Sequence, residues 1–320
     1  MPLLEPTGNG LGSDCFALVW IEKEQKLYGL NASGVAPMAL NAQTVRSLGY
    51  DAVPKEGWLP TMVPGAPAGW AALNGRFGTK PLSELFAPAI GYAQNGYPVP
   101  VNVARQWKKD SQRIVQAMQN NAAPHEYWWN CFMKPDGSPY QAGEIFRFPD
   151  YAKTLQTLAD TNCESYYRGE LMKKIVAFSQ KTGGYFCEQD FQNYHPEWVQ
   201  PITQDYRGYT VCEIPPNGHG ITVLMALGIL NGLAMPQHRE CAEHYHMVME
   251  AIKLAFADTK TYVADPRYMQ TKVSELLAPA YLAKRRALIT NHALQPQAGD
   301  PHCGGTIYLC TADREGNMVS

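Results

Sequence analysis

The residues best suited to chemistry lie near the end of the sequence, where Gly304 and Gly305 precede Thr306. A threonine hydroxyl here can attack the carbonyl of the preceding residue to give an ester that water resolves, and flexible glycines allow the strained backbone this needs. If the chain is cut between Gly305 and Thr306, the new α-amino group of Thr306 can act as general base for its own hydroxyl. Since strands favour β-branched residues, an ordinary strand threonine is the alternative for an isolated Gly-Gly-Thr.

Two further groups of residues offer other chemistry, and a structural role is favoured for both. Cys310 alternates with Thr306 along a predicted strand, where a buried cysteine is commoner than a nucleophilic one. The second group consists of His238, Cys241, His244 and His246. Histidines two positions apart point to different faces of a helix, and the sequence lacks the HExxH arrangement of zinc helices here. We therefore expect no metal ion and no cofactor.

A glycine-rich run, Asn217-Gly218-His219-Gly220, stands directly before a predicted helix. The unpaired N–H groups and the dipole at a helix start favour a bound anion. Asn217 and Gly218 are therefore candidate substrate-binding residues.

Hydrophobic periodicity predicts the elements that must position these residues. Residues 15–21 and 27–30 flank a polar run and predict a β-hairpin, and residues 206–214 predict a short strand. Residues 60–69 hold three prolines and two glycines and predict a rigid loop. Apolar residues at spacings of three and four predict helices over residues 70–73, 82–93, 155–159, 171–178, 223–233 and 242–257.

The end of the sequence predicts a second hairpin. A polar linker over residues 295–305 opens into a strand over 306–312, a turn over 313–317 and the start of a return strand at 318–320. We expect the strand over 306–312 to lack its return partner, which indicates a longer parent protein.

The composition fits a globular protein, since 45% of the 320 residues are hydrophobic and 18% are charged. A formal net charge of −2 gives no electrostatic reason to expect nucleic acid or an anionic membrane surface. No stretch approaches the roughly 20 apolar residues that span a bilayer. A small or peptide-like ligand is the expected partner, and a homo-oligomer is left open. The eight cysteines are scattered without a CxxC pair, which favours reduced core side chains and a cytoplasmic setting.

Short motifs in order along nearly the whole chain resemble the γ-glutamyltransferase family of N-terminal-nucleophile enzymes. The segment from Gly304 to Asn317 resembles the site where that family is cut into large and small subunits, and Thr306 falls on the first residue of the small subunit. The other matching motifs are Gly10-Leu11-Gly12, Val63-Pro64-Gly65, Gly69-Trp70, Pro88-Ala89-Ile90, Asn95-Gly96-Tyr97, Tyr167-Arg168-Gly169, Asp205-Tyr206-Arg207-Gly208-Tyr209, Pro215-Pro216-Asn217-Gly218, Ala255-Phe256-Ala257-Asp258 and Ala264-Asp265-Pro266.

The resemblance implies an α/β fold, a four-layer αββα sandwich to which both subunits contribute strands. It divides the chain into a large-subunit-like region, residues 1–305, and the start of a small-subunit-like region, residues 306–320. It implies autocatalytic cleavage between Gly305 and Thr306, and then cleavage of γ-glutamyl amides such as glutathione through a Thr306 acyl-enzyme. The implied partners are a small γ-glutamyl or glutaryl amide and the remaining small-subunit segment. A family helix that precedes Glu5 is missing here, so a periplasmic or secreted location also stays open.

One departure from the family bears on specificity. Known members bind the α-carboxylate of the glutamyl group through an arginine shortly before an Ala-Pro pair, which is Ala36-Pro37 here. The positions for that arginine are Ser33 and Val35, whose side chains cannot form a bidentate carboxylate contact. Both stay candidate substrate-binding positions, with Arg105 as the next cation to test. The alternatives are a glutaryl amidohydrolase similar to cephalosporin acylases, or a truncated chain with no activity of its own.

Overall fold

The computed structural model describes residues 3–119, 126–295, 311–312 and 318–319. The strands are β1 (Cys15–Ile21), β2 (Lys26–Ala32), β3 (Tyr97–Pro98), β4 (Ile145–Phe146), β5 (Glu197–Val199), β6 (Ile202–Tyr206), β7 (Tyr209–Glu213), β8 (Thr311–Ala312) and β9 (Met318–Val319). The helices are α1 (Ala42–Ser47), α2 (Ala66–Phe77), α3 (Leu82–Asn95), α4 (Val101–Gln119), α5 (Glu126–Phe132), α6 (Pro149–Asp160), α7 (Glu164–Arg168), α8 (Glu170–Lys181), α9 (Glu188–Gln192), α10 (Gly220–Leu230), α11 (Ala242–Tyr262), α12 (Val273–Leu276) and α13 (Pro279–Arg286).

The chain divides into two compact units, of which the first comprises Met1–Cys15 and Ala32–Pro196. This first unit is mainly helical and has an aromatic core. Trp107 of α4 is fully buried, and its ring meets Phe146 edge-on with centroids 4.9 Å apart. Edge-to-face rings of this kind stabilise a core beyond their buried area.

The second unit comprises Phe16–Asn31 and Glu197–Ser320 and combines a sheet with a helical layer. The sheet has the strand order β5-β2-β1-β9-β8. Helix α10 is apolar on most of its surface, and Ile221, Leu224 and Ile229 are fully buried. Such a helix must lie inside a core, and α10 packs against α11, α13 and β6.

The predicted hairpin at the start of the chain is confirmed by β1 and β2, which are neighbours in the sheet. The strand predicted over residues 206–214 is confirmed by β7, which begins later than expected, because Tyr206 ends β6 and Tyr209 begins β7. Arg207 and Gly208 between them have φ of 51° and 88°. Two consecutive residues with positive φ make the tight hairpin turn that matches strand twist.

The predicted helices are confirmed within α2, α3, α6, α8, α10 and α11. The loop predicted for residues 60–69 ends earlier than expected, because α2 begins at Ala66 with Pro67 in its first turn. Proline is tolerated there because the N–H groups of a first turn have no helical partner. None of the described helices has both the length and the apolar character that crossing a membrane requires.

The hairpin predicted at the end of the chain is confirmed where the structure describes it. Strands β8 and β9 pair antiparallel, with Thr311 opposite Val319 and Ala312 opposite Met318. Because β9 also pairs with β1, both strands belong to the sheet of the second unit. The expectation of a strand without its return partner is therefore wrong for Thr311 and Ala312.

Candidate active site

The predicted nucleophile Thr306 and its neighbours Gly305 and Cys310 lie outside the described residues. The described strand β8 begins five positions after Thr306.

Ser33 and Val35 lie in a segment that we call the 33–38 loop, residues 33–38, directly after β2 in the first unit. The loop runs close beside Val63, whose N–H donates to the Val35 carbonyl at 3.0 Å. A Cβ atom on Gly34 would stand only 2.0 Å from the Val63 carbonyl oxygen. Glycine is therefore required at position 34 for this close approach.

Two stacked tyrosines donate hydrogen bonds to the 33–38 loop and to the segment around Val63. The Tyr194 hydroxyl donates to the Ser33 carbonyl at 3.0 Å, and the Tyr167 hydroxyl donates to the Pro64 carbonyl at 2.7 Å. The two rings stack with centroids 5.4 Å apart. Burial raises the pKa of Tyr167 above its ordinary value, so this hydroxyl keeps its proton and remains a donor. The 33–38 loop is thereby fixed at several points of its backbone.

Two carboxylates accept backbone N–H groups of the 33–38 loop. Asp14 Oδ1 accepts the Gly34 N–H at 2.7 Å, and Asp190 Oδ1 accepts the Met38 N–H at 2.8 Å. Asp190 is only 3% exposed, and its second oxygen accepts the Cys187 N–H at 2.8 Å. The sequence from Asn31 to Asn41 contains no Lys, Arg or His. The loop therefore has negative charge beside it and no cation of its own.

Arg168 is the guanidinium that contacts the neighbouring segment, and both of its terminal nitrogens, Nη1 and Nη2, are already engaged. It pairs with Glu164 at 3.0 Å and donates to the carbonyl oxygens of Gln192 and Tyr194 at 3.1 Å each. Arg105, the cation that the sequence analysis suggested, lies on the exposed face of α4. Neither residue is shown to supply a carboxylate clamp to the 33–38 loop.

Val35 presents an apolar side chain at this loop, with 40% of its surface exposed. Met38 and Met62 are also exposed, by 59% and 45%. Met62 adjoins the loop, because a Cβ atom on Gly34 would lie 3.0 Å from the Met62 Cβ. Sequence reasoning missed Met62, since only the pairing of residues 35 and 63 brings it to the loop.

Asn217 and Gly218 lie in the second unit, between β7 and α10. Asn217 Oδ1 accepts a hydrogen bond from Asn31 Nδ2 at 2.8 Å, which ties this turn to the end of β2. A Cβ atom on Gly218 would be in ordinary van der Waals contact with the Phe16 ring and the Pro215 carbonyl oxygen, each at 3.7 Å. Both residues are half-buried.

The start of α10 has a carboxylate beside it that the sequence pattern did not reveal. A Cβ atom on Gly220 would lie 2.6 Å from Glu213 Oε2. Burial raises the pKa of Glu213 above its ordinary value, although a hydrogen bond from the Ile214 N–H opposes this. A carboxylate in this place repels a second anion when it is ionised. The helix start is therefore a poor site for the anion suggested by the glycine-rich run.

The cysteines are less buried than the sequence suggested, since only Cys163 is buried among those that the structure describes. Burial nevertheless raises the pKa of Cys15 to about 11 and that of Cys163 to about 12. Thiols with a raised pKa are poor nucleophiles at neutral pH.

In the group of histidines and cysteine before α11, Cys241 Sγ donates to the His238 carbonyl at 3.2 Å. The described residues contain no group of three or more His, Cys, Asp or Glu side chains that could hold a metal ion.

A cavity of about 470 Å³ opens elsewhere in the first unit, and none of the predicted site residues lines it. Its lining includes Lys55, Glu56, Asp110, Arg113 and Trp128. Arg113 pairs with Glu56 at 2.7 Å and approaches Asp110 at 3.8 Å. Because these charges largely neutralise one another, the cavity gives no further candidate for the carboxylate clamp.

Comparisons with known proteins agree with the resemblance in the sequence. A family model described as Gamma-glutamyltranspeptidase matches residues 1–320. The glutathione hydrolase-like YwrD proenzyme of Bacillus subtilis (strain 168) is 30% identical over 322 residues, which cover 100% of this chain and 59% of that protein.

Solved structures give the same result for the fold. A cephalosporin acylase from Bacillus halodurans matches with 45% identity and a TM-score of 0.89, over 99% of this chain and 57% of that chain. The γ-glutamyltranspeptidase of Helicobacter pylori matches with 26% identity and a TM-score of 0.78, over 94% of this chain and 83% of that chain. The predicted fold of mixed helices and strands, that of N-terminal-nucleophile hydrolases, is thereby confirmed. The chain spans less than two thirds of the first curated relative. With the family model matched from the first residue to the last, the chain belongs to the gamma-glutamyltranspeptidase family.

Proposed function

We propose that the complete protein is a self-cleaving acyltransferase or amidohydrolase in which Thr306 is the nucleophile. The observation that carries this proposal is the family match over the whole chain, Gly304-Gly305-Thr306 included. The word proenzyme in the name of the Bacillus subtilis relative supports the maturation step. The strands β8 and β9, which follow Thr306 in the sequence, belong to the sheet of the second unit. A small-subunit-like segment that contributes strands to this sheet supports the assignment.

Maturation begins with attack of the Thr306 hydroxyl on the Gly305 carbonyl. The acyl group moves from nitrogen to oxygen, the former peptide nitrogen becomes a free α-amine, and water hydrolyses the resulting ester. In each turnover the α-amine takes the hydroxyl proton while the oxygen attacks the amide carbonyl of the substrate. The leaving amine receives a proton, and the acyl group then passes from Thr306 to water or to an amino acid.

The acyl donor is a small-molecule amide, and the 33–38 loop of the first unit supplies binding groups for it. A γ-glutamyl amide such as glutathione is one candidate donor. The cephalosporin acylase likeness supports the second candidate, an amide whose acyl group is not an α-amino acid. The second is favoured, because Ser33 and Val35 cannot replace an arginine and the charged partners of the loop are the carboxylates of Asp14 and Asp190.

Replacement of Thr306 by Ala in the full-length protein tests the assignment. We expect an uncleaved precursor by mass spectrometry and no turnover of glutaryl or γ-glutamyl 4-nitroanilide. Thr311→Ala, five positions downstream in β8, is the matched control and should still be cleaved. Maturation and turnover of the Thr306→Ala protein at the parent rate would show that another residue is the nucleophile.

A further inference from the structure

The acyl donor can be narrowed to one class, on the basis of the proposed function and the surroundings of the 33–38 loop. We propose that the donor is an amide of an aliphatic acid whose acyl chain ends without a carboxylate. This class excludes both γ-glutamyl and glutaryl groups as preferred donors.

The first support is the charge at the loop. Asp14 and Asp190 both direct a carboxylate oxygen at backbone N–H groups of the loop, at 2.7 Å and 2.8 Å. Asp190 is buried, and buried charges are screened by solvent and salt much less than exposed ones. A substrate carboxylate brought to the loop meets like charges, and like-charge juxtaposition is a common way to reject a ligand.

The second support is that no nearby cation offsets the negative charge of these carboxylates, either within the loop sequence or among the residues that contact its neighbours. Residues 31–41 contain no Lys, Arg or His. Arg168 contacts Tyr194, which itself bonds the Ser33 carbonyl, yet its guanidinium is paired with Glu164. A carboxylate needs two aligned donors to be bound strongly, and both terminal nitrogens of Arg168 already donate to other oxygens.

The third support is the apolar surface of the same loop. Val35, Met38 and Met62 are each exposed, and the backbone pairing of Val35 with Val63 brings Met62 beside Gly34. An aliphatic acyl chain laid on these side chains removes apolar surface from water, which favours binding without any polar contact. Methionine side chains also adapt to the shape of a bound apolar group.

Four 4-nitroanilides built on the same butyryl chain test the class on the full-length, matured protein. The γ-glutamyl compound carries a carboxylate and an amine, the glutaryl compound only the carboxylate, the 4-aminobutyryl compound only the amine, and the butyryl compound neither. We expect kcat/KM to be at least tenfold higher for butyryl than for glutaryl, and likewise for 4-aminobutyryl over γ-glutamyl. Equal or faster turnover of the two carboxylate-bearing donors would overturn the proposal.

A charge introduced at the loop gives an independent readout. Val35→Arg should raise the ratio of glutaryl to butyryl kcat/KM by at least tenfold, since it supplies the missing donor fork. Val53, another exposed valine, receives the same substitution as the matched control and should leave that ratio unchanged. An equal change of the ratio in both variants would show that the 33–38 loop does not select the donor.

Failure of the proposed function is distinguishable from failure of the donor class. If Thr306→Ala retains activity, the assignment of the nucleophile is wrong, whereas the order of kcat/KM among the four anilides still decides the donor class. If the matured protein turns over none of them, calorimetric binding of the butyryl and glutaryl anilides decides it. Tighter binding of the glutaryl compound would then contradict the proposed class.

Discussion

Tyr194 shows how single side chains fix the candidate site. Its hydroxyl reaches the Ser33 carbonyl across 161 positions of sequence, and its ring stacks on Tyr167. Removal of the hydroxyl leaves a partly buried carbonyl without this donor, while the ring packing stays. The hydrogen bond therefore connects loop geometry to the stability of the first unit.

We expect Tyr194→Phe to lower the free energy of unfolding by about 0.5–1.5 kcal/mol, the usual net contribution of one hydrogen bond. Urea denaturation followed by fluorescence measures it. Tyr268 is 79% exposed, and Tyr268→Phe is the matched control with an expected change within about 0.5 kcal/mol. Equal effects of the two substitutions would show that the Ser33 hydrogen bond contributes nothing measurable.

The residues around the loop also show what the sequence could predict about the site. Ser33 and Val35 were candidates because a family motif can be read from consecutive residues. Asp190, by contrast, lies 152 positions from its partner Met38, and no local sequence pattern predicts that contact. The sequence therefore identified the loop and missed its charge, because the charge is brought there by tertiary packing.

At the scale of elements, hydrophobic periodicity was enough to predict the helices, whereas the residue types at the turn were not enough to predict the hairpin of β6 and β7. The helices α3, α8 and α11 were predicted because their apolar residues recur at helical spacing over two or more turns. The hairpin of β6 and β7 was missed because Arg207 lacks the turn preference of Asn or Gly, although it adopts a positive φ. Gly208, the next residue, was the one feature of the sequence that indicated a turn at this point.

The 33–38 loop and α2 offer a paired prediction on glycine. Gly34→Ala should destabilise the protein by about 1–3 kcal/mol or more, because the new methyl group overlaps the Val63 carbonyl and backbone must move. Gly75 lies inside α2 with open space at its Cβ position, and Gly75→Ala should stabilise by about 0.5–1 kcal/mol. Thermal denaturation of both variants checks the opposite signs, and a stabilising Gly34→Ala would contradict the close approach.

The carboxylate beside α10 predicts a dependence of stability on pH. Burial raises the pKa of Glu213 above 4.5, so the folded state favours the protonated form. The cost of its charge is absent below pH 4.5 and fully present above the raised pKa. Glu213→Gln removes that cost, so its stability relative to the parent should rise as pH increases through this window.

Denaturation at several pH values measures this trend. The exposed Glu240, replaced by Gln, controls for the loss of one carboxylate from the same unit. If the stability of Glu213→Gln relative to the parent falls as pH rises, burial does not raise the pKa of Glu213.

At the scale of the molecule, the two units depend on different cores. The first is packed round aromatic residues such as Trp107 and Phe146, and the second round aliphatic residues of α10 and α11. The sheet of the second unit joins β1 to β9, which the resemblance assigns to the small-subunit-like region. Contribution of strands from both regions is what the family resemblance implied.

Helix α11 carries an exposed apolar stripe that predicts how the 320-residue chain behaves alone. Tyr245, Met249, Ile252 and Phe256 recur at helical spacing, and each is at least 39% exposed. Contiguous apolar surface of this kind favours association, because burial between chains removes it from water. We therefore expect the chain to associate as its concentration rises, as followed by sedimentation velocity and light scattering.

A single charge on the stripe should weaken that association. Met249→Lys places a solvated ammonium group at the centre of the stripe, and we expect it to shift the association to at least tenfold higher concentration. Thr261 is exposed on another face of α11, and Thr261→Lys adds the same charge there as the matched control. If both variants shift equally, net charge is responsible and the stripe is not. A parent chain that stays monomeric across the concentration range would refute the association itself.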